Sequence, residues 1–288
     1  KKKIKKRNWL ILKKSQNLRE LNLKNNKIFT KNYLENFTVT DTDTEINFIN
    51  LKVLNLDNTN NTTNPKSAKI FLEKLSKILK INKINKIEKL FLGDNFIGPE
   101  IILILTKNSN MKFLKILDLR FNKIKSEGLK FFKNQNFEFS SLLTLNICGN
   151  LIDDDGIFYL MEDNFPFPFP FPNLENIDLS ENNIKDKGMK FFCLAERKFK
   201  KLKFIDLRFN KIGNDSLKYF TEGYFNFKFL EVIDVRFNYL GNNAFKYLND
   251  FNEKFENIKM LFVSFDFINK DNEYNNFHEK FKFLKFEK

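Results

Sequence analysis

The stretch IDLRFNKIG (205–213) recurs with few changes as LDLRFNKIK from Leu117 and IDVRFNYLG from Ile233. All three belong to a longer frame: apolar, two spacers, apolar, one spacer, apolar, two spacers, Asn, one spacer, apolar. The frame starts at Leu18, Leu51, Ile87, Leu114, Leu142, Leu174, Leu202, Leu230 and Ile258, in steps of 33, 36, 27, 28, 32, 28, 28 and 28 residues. Self-similarity at such a period marks a stacked-repeat architecture. One unit cannot bury its own apolar face, so successive units have to cover one another.

The unit has a physical reading. Alternating apolar residues, as in Leu117-Asp118-Leu119, turn one face of a strand inward and the other outward. The polar column is Asn26, Asn95, Asn122, Asn150, Asn182, Asn210 and Asn238, with Thr59 and Asp266 as departures. A carboxamide both donates and accepts, so it can pair the backbone of stacked turns that would otherwise be buried unsatisfied. Six residues after the Asn stand Gly128, Gly156, Gly188, Ser216 and Ala244, followed by LKFF, IFYL, MKFF, LKYF and FKYL. Those tetrapeptides fit one face of a short helix, and the small residue is expected to let that helix approach the sheet. Met111, Phe139, Phe171, Phe199, Phe227 and Phe255 each precede a strand by the same interval and read as core rings inside the returning loop. Much of the excess of 37 Phe is thereby core filler.

The frame resembles the leucine-rich repeat family. Its helix-containing unit of 28 residues is similar to the ribonuclease-inhibitor-like subclass. The resemblance covers residues 18–270 and implies an α/β solenoid of about nine repeats. In the implied horseshoe, a parallel β-sheet lines the concave face and helices the convex face. Strands about 4.8 Å apart against helices about 8–10 Å apart would generate that curvature. Residues 1–17 read as a basic N-terminal segment or cap, and 271–288 as a C-terminal capping helix. Insertions fall near 36–50, 58–82 and 163–172. The second is expected to hold a longer helix from Ser67 to Leu79. The third contains FPFPFPFP (165–172), an extended surface loop, because alternating proline bars both a regular helix and a central strand.

Charge and composition exclude several classes. The formal net charge of +14 suggests an acidic or nucleic-acid partner. However, the enrichment in Lys, Asn, Ile and Phe matches A/T-rich codons, and most Lys residues alternate with Glu and Asn as on a solvated face. KKKIKKR at 1–7 is the one basic block, in a chain that starts without Met and reads as trimmed. Two cysteines, Cys148 and Cys193, and a single histidine, His278, disfavour a disulfide scaffold and a zinc site. No apolar run reaches the roughly 18 residues of a membrane span. The composition reads as that of an intracellular protein, cytoplasmic with a cytoskeletal or ciliary setting possible and a nuclear one still open.

No phosphate loop, metal spacing or nucleophile-base pair is visible, so neither catalytic residues, a cofactor, a metal nor a small-molecule substrate is expected. The outward positions carry the functional reading, concentrated in the C-terminal half. They are Phe204, Val232 and Met260 at the third place, Asp206, Asp234 and Phe262 at the fifth, Arg208 and Arg236 at the seventh, and Phe209, Phe237 and Phe265 at the eighth. Aromatic and Arg residues are favoured at interface hot spots. The Asp and Arg lanes allow two accounts: a self-neutralised lattice left by duplication, or a site for a partner bringing a basic group to the Asp lane. The function expected is a non-enzymatic scaffold holding a protein partner on the concave face, with nucleic acid disfavoured. The resemblance suggests a subunit of a larger assembly such as an axonemal dynein regulatory complex. The alternative is a GTPase activator resembling the Ran GTPase-activating proteins, whose acidic tail is absent from HEKFKFLKFEK. A ribonuclease inhibitor in function is disfavoured, because that family is acidic and Cys-rich.

Overall fold

The computed structural model describes residues 17–26, 50–60, 65–80, 86–133, 139–161, 169–195, 198–221, 228–241, 244, 247, 258–264 and 284–286. Ten short strands form one parallel sheet in sequence order. They are β1 (Glu20–Asn22), β2 (Val53–Asn55), β3 (Lys89–Phe91), β4 (Ile116–Asp118), β5 (Thr144–Asn146), β6 (Asn176–Asp178), β7 (Phe204–Asp206), β8 (Val232–Asp234), β9 (Met260–Val263) and β10 (Leu284–Phe286). Pairing is in register, so equivalent positions of successive repeats are neighbours, as with Phe204, Val232 and Met260. Six helices are described between the strands: α1 (Pro65–Lys80), α2 (Glu100–Thr106), α3 (Lys125–Leu129), α4 (Asp154–Met161), α5 (Asp186–Leu194) and α6 (Asn214–Thr221). The middle residue of each of β1 to β8, such as Leu117, Ile177 or Ile205, joins one core with Ile101, Leu129, Leu160, Phe192 and Phe220 from the helices. This is an α/β solenoid.

The column asparagines tie the units together. Asn122 donates through Nδ2 to Leu119 O and Arg120 O of its own turn and to Leu92 O of the preceding unit, at 2.8–3.2 Å. Its Oδ1 accepts from the Asn95 and Ile97 N–H groups at 3.1 and 3.0 Å. Asn95, Asn150, Asn182, Asn210 and Asn238 repeat the pattern, each donating to a carbonyl one unit back and accepting from that unit's N–H groups. Asn26, in the first described unit, donates within its own turn. Thr59 keeps only one branch of the pattern, its hydroxyl donating to Leu56 O at 2.7 Å.

A second column works on the helix side and escapes sequence reading. Its members are Ser126, Asp154, Asp186 and Asn214, each four residues after a column Asn. Asp154 Oδ1 accepts from Lys185 N at 2.7 Å and Gly188 N at 2.9 Å, capping the start of α5 from the preceding unit. Asp186 accepts from Gly213 N at 2.7 Å and from the Ser216 hydroxyl, and Asn214 accepts from Gly241 N at 2.9 Å. Ser126 accepts from Asp153 N at 3.1 Å. Helix-start N–H groups have no intrahelical acceptor, and the neighbouring repeat supplies one.

The small-residue column has a different purpose from the one expected. A Cβ on Gly156 would stand 2.7 Å from Ile152 Cγ2, 2.9 Å from Ser126 Oγ and 3.3 Å from Ser126 Cα. At Gly188 the nearest backbone is likewise Asp154 Cα, at 3.2 Å. The small residues therefore let each helix approach the start of its neighbour's helix, where the caps sit, and not the sheet. Of the aromatic column, Met111, Phe139, Phe171 and Phe199 are buried, with Phe139 and Phe171 ring centroids 5.7 Å apart, while Phe227 and Phe255 lie outside the described residues. Phe169 packs on Phe171 and Phe199 at 5.6 and 4.8 Å, so the described end of FPFPFPFP is core.

The C-terminus departs from expectation. Leu284–Phe286 is a strand pairing in parallel with β9, Leu284 opposite Leu261, where a capping helix was expected over 271–288. Leu284-Lys285-Phe286 alternates apolar and polar residues, which is the strand period. His278 and Asp266 fall outside the described residues.

The Asn ladder gives a direct test. Asn122→Leu keeps volume but orphans buried donors and acceptors in two adjoining turns. It is expected to lower stability by at least about 2 kcal/mol, read as a fall in the urea midpoint.

Candidate partner-binding face

The strands expose one side of the sheet. Phe204, Val232 and Met260 are half-buried there, side by side in the third-position lane. Parallel sheets are ordinarily covered on both faces, yet among the described residues nothing packs on this one.

The fifth lane behaves differently from the surface row of acids that its sequence suggests. Asn22, Asn55, Asp118, Asn146, Asp178, Asp206 and Asp234 each accept, through Oδ1, the N–H two residues on at 3.0–3.2 Å. Each closes an Asx turn where its strand ends. Asp206 and Asp234 are each 4% exposed. Arg208 clasps Asp206 through Nε at 3.0 and 2.9 Å and Nη2 at 2.6 Å. Arg236 grips Asp234 the same way, at 2.9, 3.2 and 2.7 Å, and lies 4.9 Å over the Phe262 ring. Bidentate pairs of this kind are the strong charge-assisted ones, and the Asp206 contact pushes the Arg208 guanidinium further up. The arrangement matches the self-neutralised lattice. A basic group arriving at the Asp lane would have to displace these arginines.

The lane breaks at β5 and β6. There the seventh position is Cys148 and Ser180 in place of Arg. Burial pushes the Asp178 carboxyl up, opposed by two hydrogen bonds from Ser180. Burial likewise pushes the Cys148 thiol up to about 11. At the far end Arg120 pairs with Asp118 and reaches Asp57, which also accepts Gly93 N at 2.8 Å. Along the entry rim the second positions pair with one another: Glu88 takes Lys52 at 2.6 Å and Lys115 at 2.9 Å, and these hydrogen bonds pull its carboxyl down to about 2.

The eighth position at the strand exit carries a feature that no sequence signal announced. Asn25, Asn58, Asp94, Phe121, Gly149, Glu181, Phe209 and Phe237 all take left-handed backbone, with φ between 50° and 64°. Asn and Gly adopt it readily, whereas a bulky residue there is an outlier, with a strain of order 1–3 kcal/mol. Gly149 answers a second demand, because a Cβ on it would strike the Phe121 ring. Phe209 and Phe237 are 49% and 40% exposed and stack on each other, with centroids 4.4 Å apart and planes 11° from parallel. Thus the structure brings together Phe204, Asp206, Arg208, Phe209, Val232, Asp234, Arg236, Phe237, Met260 and Phe262, while Phe265 lies outside the described residues.

The leucine-rich repeat family model matches residues 14–30, 110–133, 172–193 and 200–220. These four stretches carry leucine-rich repeats. No curated protein sequence matches it. Among solved structures, an internalin (inlF) from Listeria monocytogenes aligns at 17% identity and TM-score 0.37, over 75% of this chain and 62% of that one. A TDR receptor aligns at 14% identity and TM-score 0.24, over 75% and 43%. The aligned region thus spans less than two thirds of the length of either solved structure. Among the described residues, no helix is long and apolar enough to cross a membrane.

Two outcomes are expected. Replacing Phe209 and Phe237 with Asn relieves backbone strain and forfeits a ring stack worth about 0.5–1.5 kcal/mol. The double variant should therefore melt within a few degrees of the parent, by calorimetry. For Cys148, a raised thiol pKa of about 11 leaves little thiolate near neutrality. Native-state alkylation by iodoacetamide, followed by mass spectrometry, should be slow at pH 7.5 and accelerate only as pH rises towards that value.

Proposed function

We infer that the chain is a non-enzymatic protein-protein interaction scaffold that holds its partner on the open, concave side of the sheet, mainly across β7 to β9. The observation that carries this reading is the uncovered lane of Phe204, Val232 and Met260, in register beside Arg208 and Arg236. Half-buried apolar side chains on an otherwise uncovered sheet leave apolar area for a partner to remove from water, and hot-spot residue types lie alongside. The repeat family supports the same conclusion in its coarse form. In this reading the unit belongs to the ribonuclease-inhibitor-like subclass, and the protein works inside the cell as a subunit of a larger assembly. An axonemal dynein regulatory complex is the assembly that the resemblance suggests.

A photo-crosslinking residue in place of Val232 or Met260, expressed in the native cell, should yield adducts with one protein, identified by mass spectrometry. The same residue at exposed Lys190 on α5 should not. Adducts confined to the Lys190 position would place the contact on the helices and overturn the reading.

A further inference from the structure

We propose that the anchor of this contact is the strand-exit rim of β7 and β8, and that the partner presents there an acidic protein segment with an apolar or aromatic side chain beside its carboxylate. The proposal rests on the scaffold reading and narrows it to a place and a chemistry.

Three observations converge on this rim. First, the two edges of the sheet differ. Among the described residues eight large apolar side chains are exposed, and five of them, Phe121, Leu151, Phe209, Phe237 and Tyr239, sit at or just after a strand exit. The entry edge keeps exposed Leu143 and Phe229 but is otherwise built largely of charges that satisfy one another, Lys52 and Lys115 on Glu88, Lys203 on Glu175 and Lys259 on Glu231. The exit edge therefore keeps more apolar area in water, and its Phe209 and Phe237 rings are in contact with one another.

Second, Phe209 and Phe237 hold that exposed position on left-handed backbone, at φ 52° and 57°. The same position is filled by Asn25, Asn58 and Gly149 elsewhere in the array, so the fold itself asks only for a residue tolerant of that conformation. A ring there is both strained and exposed. Strain that the fold does not require points to a function for the side chain that carries it. Tyr239, 64% exposed, stands two residues beyond Phe237 and extends the aromatic surface.

Third, on β7 and β8 the charges left over are cations, with exposed Glu181 just beyond β6 the nearest acid along the exit lane. Asp206 and Asp234 are buried under their arginines. By contrast, Nη1 of Arg208 donates no hydrogen bond among the described residues, because only Nε and Nη2 are engaged. Lys211, exposed one residue after the column Asn of that unit, makes no ion pair among the described residues. Lys211 and Tyr239 hold the same place in successive repeats, so a cation and an aromatic are set side by side along the rim. A carboxylate facing Arg208 and Lys211, with an apolar group on the Phe209–Phe237 stack and Tyr239, completes both sets. The net charge of +14 would steer such an acidic segment towards the chain.

The test is a random peptide library displayed on phage and selected against the full chain. Enriched peptides are then measured by fluorescence anisotropy against three proteins: the parent, a rim variant with Phe209→Asn and Phe237→Asn, and a face variant with Phe204→Ser and Met260→Ser. Circular dichroism melts confirm that each variant is folded. The expected result is enrichment of Asp or Glu next to Trp, Phe or Leu, with affinity for the rim variant reduced by at least about tenfold. An Arg208→Gln, Lys211→Gln variant should weaken binding and flatten its salt dependence. Peptides without acids, or an absence of enrichment, would overturn the proposal. Peptides that survive the rim variant but are lost on the face variant would overturn it while leaving the scaffold reading in place.

Discussion

The asparagine carboxamide one unit along is the interaction on which the rest of this solenoid depends. Turns that follow short strands leave several backbone donors and acceptors pointing inward, where water does not reach. One side chain with both capacities satisfies them in two units at once. Asn95 shows the economy of the device: its Oδ1 serves Thr59 N and Asn60 N, while its Nδ2 serves Leu56, Leu92 and Gly93 carbonyls. Where Thr59 replaces the carboxamide, the following Asn95 supplies most of what that turn lacks. On the other side of the core the Ser126, Asp154, Asp186 and Asn214 column performs a similar task for the helices. Between the two ladders, the core has only to be apolar and about the right size, which suits a chain so heavily biased towards Phe and Ile.

Against that frame the open face divides into parts with separate purposes. The fifth position is structural, because Asn and Asp alike close the Asx turn that ends the strand. The acid at Asp206 or Asp234 then requires a cation, and the Arg two residues on provides it in a bidentate clasp. At β6 that cation is missing, and Ser180 offers hydrogen bonds alone, which leaves Asp178 with a raised carboxyl pKa. What remains for recognition is the half-buried third position and the strained aromatic exit. The two adjoin at β7 and β8, so one bound segment can reach both.

Much of the fold was legible because its signals are periodic. The Asn column and the spacing of the frame gave the strands, their order and their register. Met111, Phe139, Phe171 and Phe199 were readable as core because they fall at a constant distance from the next strand. The helix-side column was not, since Ser, Asp and Asn share it and each is common on any helix start. The fifth lane misled in the opposite way. Asn22, Asn55 and Asn146 stand in line with the aspartates, and that mixture is the mark of a side chain accepting a backbone N–H, but the charge drew attention first. The exit conformation was hidden because Phe is a residue that ordinarily argues against left-handed backbone. The C-terminal strand was missed because the alternation in Leu284-Lys285-Phe286 is only three residues long and Phe283 beside Leu284 breaks the period before it.

The direction of the carboxamide ladder has a consequence for how the chain is made. The turn at Asn95 offers N–H groups whose acceptor, Asn122 Oδ1, lies 27 residues further on. During synthesis from the N-terminus, that turn therefore stays open to water until the next repeat has left the ribosome. The growing array matures one unit behind the point of elongation. Its newest coil is always unfinished, and each coil is sealed by its successor.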